Sequence, residues 1–310
     1  MVELSLDQEG GGNPARLDFA IVGAPKCGTT ALYTYLATHP DICMSSRKEP
    51  YFWCPDVPIA APVVDMADYA ELWRDAAPGM LCGEATPAYL RSQLAVPAIL
   101  RANPRAKFIV LLRSPAEMAA SFHAQMLVSL QEEVADFERA WNLQERRAAG
   151  QGVPRACYHP PNLQYAAVCA LGDQLERVMA VVPSEQLHVV MQHDLADDPR
   201  RAYLDVLAFL GVSDDGRADF APINRNRRRR GLGFVRRYRR TIARRPLLGA
   251  LAHRARLTRM IERASLFEEP RAPLDPVFAA KLHAFFLPQV EKIEALLGRD
   301  LTAWKSGASA

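Results

Sequence analysis

The chain has 310 residues, 49% of them apolar, with 38 Lys and Arg against 35 Asp and Glu for a net charge of +3. That length holds one large domain or two small ones, and the apolar share is ample for a core. No run approaches eighteen uninterrupted apolar residues, so no membrane span is expected, and the net charge is unremarkable. Six cysteines, Cys27, Cys43, Cys54, Cys82, Cys157 and Cys169, show neither C-x-x-C pairs nor zinc spacing. They are expected as free thiols in a reducing cytosol. Met1 to Arg16 is polar, contains Gly10-Gly-Gly12 and lacks the basic start and apolar core of a signal peptide. It reads as a flexible arm, and the expected location is cytoplasmic. Heavy Ala and Arg usage hints at a bacterial source.

In chain order, an apolar run from Phe19 to Val22 reads as a buried strand over 18–22. A loop with Gly23, Pro25, Lys26, Cys27 and Gly28 follows. Thr29 and Thr30 open a helix over 29–38 with Ala31, Leu32, Tyr35 and Leu36 on its apolar face. Strand, glycine loop and helix N-terminus make an anion site: backbone N–H groups point at the ligand and the helix dipole favours negative charge. Lys26 and the two threonine hydroxyls add donors. Gly23 and Gly28 keep the glycine spacing of the Walker pattern G-x-x-x-x-G-K-[ST], but the lysine sits inside the loop. A lysine there is expected to meet a shorter group than a triphosphate, such as a single 5′-phosphate with something attached.

A short strand over 42–44 leads into the Lys48–Glu49 turn and the aromatics Tyr51, Phe52 and Trp53. Residues 55–68 read as proline-rich loop, 69–73 as a short helix, 80–83 as a strand and 94–102 as a helix stopped before Pro104. Phe108 to Leu112 belongs to a buried parallel-type strand over 107–112. It ends in Arg113, not in the aspartate that a Mg²⁺-dependent NTPase carries there. Pro115 suits the first turn of a helix over 116–129, and Ser121 lies along it. An arginine at a strand end with a hydroxyl from the next helix makes a second oxyanion site. Two phosphate sites without an evident metal acid fit a nucleotide phosphorylated at two places on its ribose, and no metal is expected.

Further on, the pattern predicts an amphipathic helix over 137–149, a loop over 151–161, a long helix over 163–181, a strand over 187–191 and a helix over 201–210 closed by Gly211. Strands alternating with helices predict an α/β fold, a P-loop-like doubly wound parallel sheet flanked by helices. From Asn224 a basic run, Asn224-Arg-Asn-Arg-Arg-Arg-Arg-Gly231, continues through Arg236 to Arg245. Most of these arginines suit a solvated basic helix. Nucleic acid or anionic lipid is the other reading of such a run, but no RNP-like or zinc-finger pattern accompanies it.

The two phosphate stretches resemble the paired motifs of sulfotransferases that use 3′-phosphoadenosine 5′-phosphosulfate (PAPS). Pro25-Lys-Cys-Gly-Thr-Thr30 resembles their 5′-phosphosulfate loop and Arg113-Ser-Pro-Ala-Glu-Met-Ala-Ala-Ser121 their 3′-phosphate motif. Lys48-Glu-Pro-Tyr-Phe-Trp53, Gly83-Glu-Ala-Thr-Pro-Ala-Tyr89 and Ile293 to Trp304 are similar to segments of the glycosaminoglycan and related bacterial branch. The resemblance covers about residues 17–304, implying one sulfotransferase domain there, after an arm over 1–16 and before a tail over 305–310. It implies a donor site of Pro25, Lys26, Cys27, Gly28, Thr29, Thr30, Arg113 and Ser121. Residues 224–265 would partly cover the nucleotide, with Asn224, Arg225 and Arg227 as further contacts. PAPS would be the donor, PAP the product, and no metal ion would take part.

The implied reaction moves a sulfuryl group to a hydroxyl or amine of a carbohydrate or natural-product acceptor by in-line attack. Lys26 would stabilise the leaving oxygen, and Glu49, expected to be desolvated by Tyr51, Phe52 and Trp53, would act as general base. Lys48 would steer the acceptor or touch the sulfonate. His123 is a second candidate base, and Glu84 reads as structural. Ala85 stands where the glycosaminoglycan branch often carries lysine, which counts against a polyanionic saccharide. Tyr51, Phe52, Trp53 and Tyr89 fit sugar stacking or an aromatic acceptor equally well. The other readings are a Mg-ATP-dependent P-loop small-molecule kinase and a non-catalytic nucleotide- or nucleic-acid-binding protein. Oligomeric state is left open.

Overall fold

The computed structural model describes residues 17–57, 59, 61–221, 227–229, 266–268 and 273–306. These fall into two compact units: one built from the chain up to Met118, Ala166–Ile223 and Ala279 onward, the other from Ala119–Tyr165 and Asn224–Phe278.

The first unit carries a five-stranded parallel sheet: β1 (Phe19–Gly23), β2 (Ile42–Met44), β3 (Leu81–Ala85), β4 (Lys107–Leu112) and β5 (Leu187–Met191), in the order β2-β3-β1-β4-β5. All of β1 and nearly all of β3 and β4 are buried. That explains why their sequences are continuous apolar runs and not alternations: a parallel sheet is covered on both faces. Parallel pairing demands crossovers, supplied among others by α1 (Thr29–Leu36), α2 (Met66–Ala70), α3 (Ala95–Ala102) and α4 (Pro115–Val128). Beyond β5 come α9 (Gln192–Asp197) and α10 (Pro199–Leu210). The latter is capped by the Asp198 side chain and closed by Gly211 at φ 83°. The expected doubly wound sheet is therefore present, and strand order reverses about β1. Ligands of such sheets bind beyond the carboxyl ends of the strands at that reversal.

The differences from the sequence reading have local causes. The strand expected over 80–83 runs on to Ala85, which places Glu84 inside the sheet. The helix expected over 137–149 is two short ones, α5 (Phe137–Trp141), capped by Asp136, and α6 (Gln144–Ala148). The long helix expected over 163–181 is broken into a 3₁₀ turn at Pro160–Leu163, α7 (Tyr165–Val168) and α8 (Leu171–Met179). Gln174 makes the break tolerable: its amide donates to the carbonyls of Ala167 and Val168, each at 3.1 Å, which a continuous helix would have satisfied itself. At Gly172, α8 also runs close to α11 (Pro276–Leu297), leaving only 2.7 Å between a would-be Cβ and the Gln289 carbonyl. The chain closes with α12 (Thr302–Ser306).

In the second unit, Glu132 and Arg147 form a buried two-pronged ion pair at 2.6 and 2.8 Å. Tyr165 donates to the same carboxylate at 2.7 Å, and the amides of Glu133 and Val134 bond to it as well. The lone pairs of the buried carboxylate are met, which helps such a pair to be tolerated, while Arg147 Nε has no hydrogen-bond partner among the described residues. Here β6 (Arg227–Arg229) pairs antiparallel with β7 (Leu266–Glu268).

Contact between β1 and β3 is close enough to test. A Cβ on Gly83 would stand 2.1 Å from the Phe19 ring. Gly83→Ala is expected to cost about 1–3 kcal/mol, read as a lower urea midpoint; an unchanged midpoint would refute this packing.

Candidate active site

Among the described residues four non-glycine residues have positive φ: Lys26 (65°), Glu49 (60°), Tyr51 (58°) and Leu130 (64°). The first three lie in the loops that leave the carboxyl ends of β1 and β2. Left-handed backbone costs a side-chain-bearing residue roughly 1–2 kcal/mol, and such residues cluster where a site needs a particular geometry.

The loop after β1 is fastened to β4 by the Ala24 amide, which donates to the Leu111 carbonyl at 2.6 Å. Gly28 begins α1 at φ 96°, with no side chain capping the helix and no acidic residue in its first turn. The positive end of α1 is thus left for an outside anion. Only glycine fits: a Cβ at Gly28 would stand 3.1 Å from Leu195 of α9. Lys26 is half-buried, Thr29 buried and Thr30 half-buried in the same turn. Cys27 faces the other way. Its amide bonds to the Ala24 carbonyl, its thiol lies against Pro25 and Met118, and burial pushes that thiol up to about 12 against the pull of the Arg113 and Lys26 charges. So Cys27, expected as a donor-site contact, serves the loop by packing, with the Lys26 and Arg113 charges both acting on its thiol.

Arg113 follows β4 and pairs with Glu117 at 2.7 Å through Nε and a terminal nitrogen, the pair being partly open to solvent. Beside it, Ser114 is buried, and its hydroxyl has no hydrogen-bond partner among the described residues. An unpaired buried hydroxyl costs about 1–3 kcal/mol, a cost that an oxyanion accepting its proton would lift. Ser121 lies further along α4, buried, and belongs to the second unit.

Glu49 is held at both oxygens, by Lys48 Nζ at 2.5 Å and by the Tyr51 hydroxyl at 2.9 Å, and its amide donates to the Ala85 carbonyl at 3.0 Å. The aromatic surroundings expected for it are a correction: Phe52 and Trp53 turn into the core, where Phe52 stacks on Tyr69 at 4.3 Å and Trp53 meets it edge-on. The same burial removes Phe52, Trp53 and Tyr89 as acceptor-stacking faces; of the four aromatics expected to serve, Tyr51 alone is not buried. His123 is buried in the second unit, stacked on Phe137 at 4.9 Å with Nε2 on the Val134 carbonyl. That placement is structural packing and does not open toward an acceptor. Asn224 and Arg225 lie outside the described residues, and Arg227 is described only as backbone in β6.

The carboxylate that the aromatics do desolvate is Glu84, read from sequence as merely structural. It is fully buried and pushed up from 4.5 to about 7 by burial, against the hydroxyls of Tyr89, Tyr69 and Thr86 that favour its charge. The Gly83–Tyr89 motif was its only signal in the sequence.

Residues 16–221 match the family described as the sulfotransferase domain. The chain is 35% identical over 104 residues to the membrane-associated sulfotransferase kil1 of Dictyostelium discoideum, covering 34% of this chain and 22% of that protein. It is 36% identical over 109 residues to mouse heparan sulfate glucosamine 3-O-sulfotransferase 6, covering 34% of this chain and 30% of that one. The chain thus matches less than a third of these relatives' own lengths. Among solved structures, a sulfotransferase from Alicyclobacillus acidocaldarius aligns with TM-score 0.70 and 26% identity over 93% of this chain and 98% of the other. No described helix is long and apolar enough to cross a membrane.

Glu84 gives the site a pH signature. The unfolded chain loses this proton near 4.5 while the folded chain keeps it to about 7. Its contribution is therefore complete below the lower value and lost as pH rises between the two, by about 3 kcal/mol. Urea titrations from pH 4 to 8 (roughly that window) are expected to lose this part of the decline in Glu84→Gln; an unaltered slope would show that Glu84 does not titrate late.

Proposed function

The chain belongs to the sulfotransferase family, and from the geometry of its two strand-end loops we propose that it transfers the sulfuryl group of PAPS to a hydroxyl of a carbohydrate or natural-product acceptor, with Glu49 as general base. The observation that carries the reading is the uncapped, glycine-opened N-terminus of α1 with Lys26 in its loop and the unpaired Ser114 hydroxyl beside Arg113. The helix N-terminus and the Ser114 hydroxyl each suit an anion, and a nucleotide with phosphate at both ends of its ribose asks for two such places. The name of one relative, a heparan sulfate glucosamine 3-O-sulfotransferase, supports a carbohydrate acceptor.

Bound here, PAPS supplies a sulfuryl group on a good leaving group. The α1 amides and Thr29 and Thr30 would hold its 5′ end; Arg113 and Ser114 would receive the 3′-phosphate. Lys26, fixed at positive φ inside the loop, would meet the charge growing on the leaving oxygen, as a preorganised cation acts without reorganising at the moment of reaction. Glu49 would take the acceptor proton. For that one carboxylate oxygen must be given up by Lys48 or Tyr51. Lys48 is the group to yield, because an anionic donor competes for an ammonium and not for a phenol. Lys48 would then pass from the base to the donor, leaving the Glu49 carboxylate oriented by the Tyr51 hydroxyl.

Titration of the protein with PAP, without metal, tests the reading. Micromolar affinity is expected, weakened about tenfold or more in Lys26→Ala and in Arg113→Ala, each removing a charge-assisted contact. Glu49→Gln is expected to keep PAP affinity and lower turnover on the order of 10²–10⁴. Stabilisation by ATP–Mg²⁺ without any response to PAP would overturn the assignment in favour of a kinase.

A further inference from the structure

Two of the strained residues, Glu49 and Tyr51, stand within three positions of each other. Nothing in a loop's own sequence keeps two side-chain-bearing residues at positive φ; the surroundings must over-determine them. The clamp is Trp53, fully buried, whose two donors are both taken. Its backbone amide donates to the Tyr89 hydroxyl at 3.3 Å and its indole Nε1 to the Tyr69 hydroxyl at 2.7 Å. Each phenol has one proton, and both protons go to the same acceptor. Tyr69 donates to Glu84 Oε1 at 3.0 Å, Tyr89 also donates to this carboxylate, and Thr86 reaches Oε2 at 3.4 Å. Hydrogen bonding thus runs one way, from Trp53 through two tyrosines to one buried carboxylate. Next to Glu84, the Ala85 carbonyl holds the amide of Glu49 itself.

We propose that Glu84 is a positioning residue for Glu49: by accepting from Tyr69 and Tyr89 it locks Trp53, and through Trp53 the left-handed turn that presents the Glu49 carboxylate. This rests on the reading of Glu49 as the base. The direction of the protons makes the role specific to the ionised carboxylate, the form Glu84 takes above about pH 7, where the variants are compared. An amide at position 84 keeps one accepting oxygen but brings N–H groups to the other side. One tyrosine would then have to reverse its proton and face a Trp53 donor with a donor. An unpaired buried donor is costly, and opening of the turn relieves it.

The test uses the full chain in four variants, Glu84→Gln, Tyr69→Phe, Glu49→Gln and the double Glu49→Gln/Glu84→Gln. Amide exchange is followed by mass spectrometry, PAP affinity by calorimetry and release of inorganic sulfate from PAPS with water as acceptor. In Glu84→Gln and Tyr69→Phe, exchange over residues 48–54 is expected to rise about tenfold, the worth of one net hydrogen bond, with β1 and β4 and the PAP affinity unchanged. Sulfate release should fall in Glu84→Gln, and the double variant should lose no more than Glu49→Gln alone, as for residues acting through one another. Unchanged exchange over 48–54, equal opening of β1 and β4, or losses that multiply in the double variant would each overturn the proposal. Tyr69→Phe keeps the exchange test if Glu84→Gln does not fold. If Glu49→Gln leaves sulfate release unchanged, Glu49 is not the base, and the exchange result alone decides whether Glu84 holds the turn.

Discussion

Side chains at positive φ are the constraint on which the rest of the first unit depends. Lys26, Glu49 and Tyr51 each sit in a conformation roughly 1–2 kcal/mol above the ordinary one. Each is held by bonds that reach back to the sheet: the Lys26 loop by Ala24 on Leu111, the Glu49 turn by its own amide on Ala85 and by Trp53 on two tyrosines. The sheet is therefore less a container than a fixture. Its parallel strands all end on one edge, and the loops leaving β1, β2 and β4 carry the lysine, the carboxylate and the arginine that the chemistry wants.

The fixture was legible in the sequence, and its fastening was not. Apolar runs ended by Gly23, Gly28 and Arg113 announce strand, phosphate loop and strand-end cation because backbone period and glycine placement are local properties. The partners of Glu49 are not local. Tyr51, Phe52 and Trp53 follow it in the chain, which suggested a desolvated base, yet two of the three rings turn away because Tyr69 offers a stacking face and an indole acceptor. Glu84 looked structural because an isolated glutamate inside an apolar strand gives no hint of which hydroxyls will meet it. Three of them come from residues two, five and fifteen positions away, the last across a loop.

Helix breaks followed the same logic. Residues 163–181 have helical periodicity throughout, and the interruption between α7 and α8 is stabilised by Gln174, a side chain that replaces missing backbone partners. In the second unit Glu132 draws together Arg147 and Tyr165, side chains distant from it in sequence. Propensity reads neighbours in sequence; satisfaction of buried polar groups reads neighbours in space.

The ion pairs at the sheet edge differ from these buried ones in kind. Arg113–Glu117 and Lys48–Glu49 are partly exposed, and pairs of that sort are worth only about 0–1 kcal/mol. A phosphate held by the same cation in a closed site is worth more, since charge-assisted bonds strengthen as water leaves. On the proposed reading, both carboxylates are occupants that the nucleotide would displace at little cost, keeping the cations compensated until it arrives. The consequences of displacement are unequal. Glu117 merely returns to solvent, whereas Glu49, once released, is left with a phenol on one oxygen and an open lone pair on the other, the arrangement a general base requires.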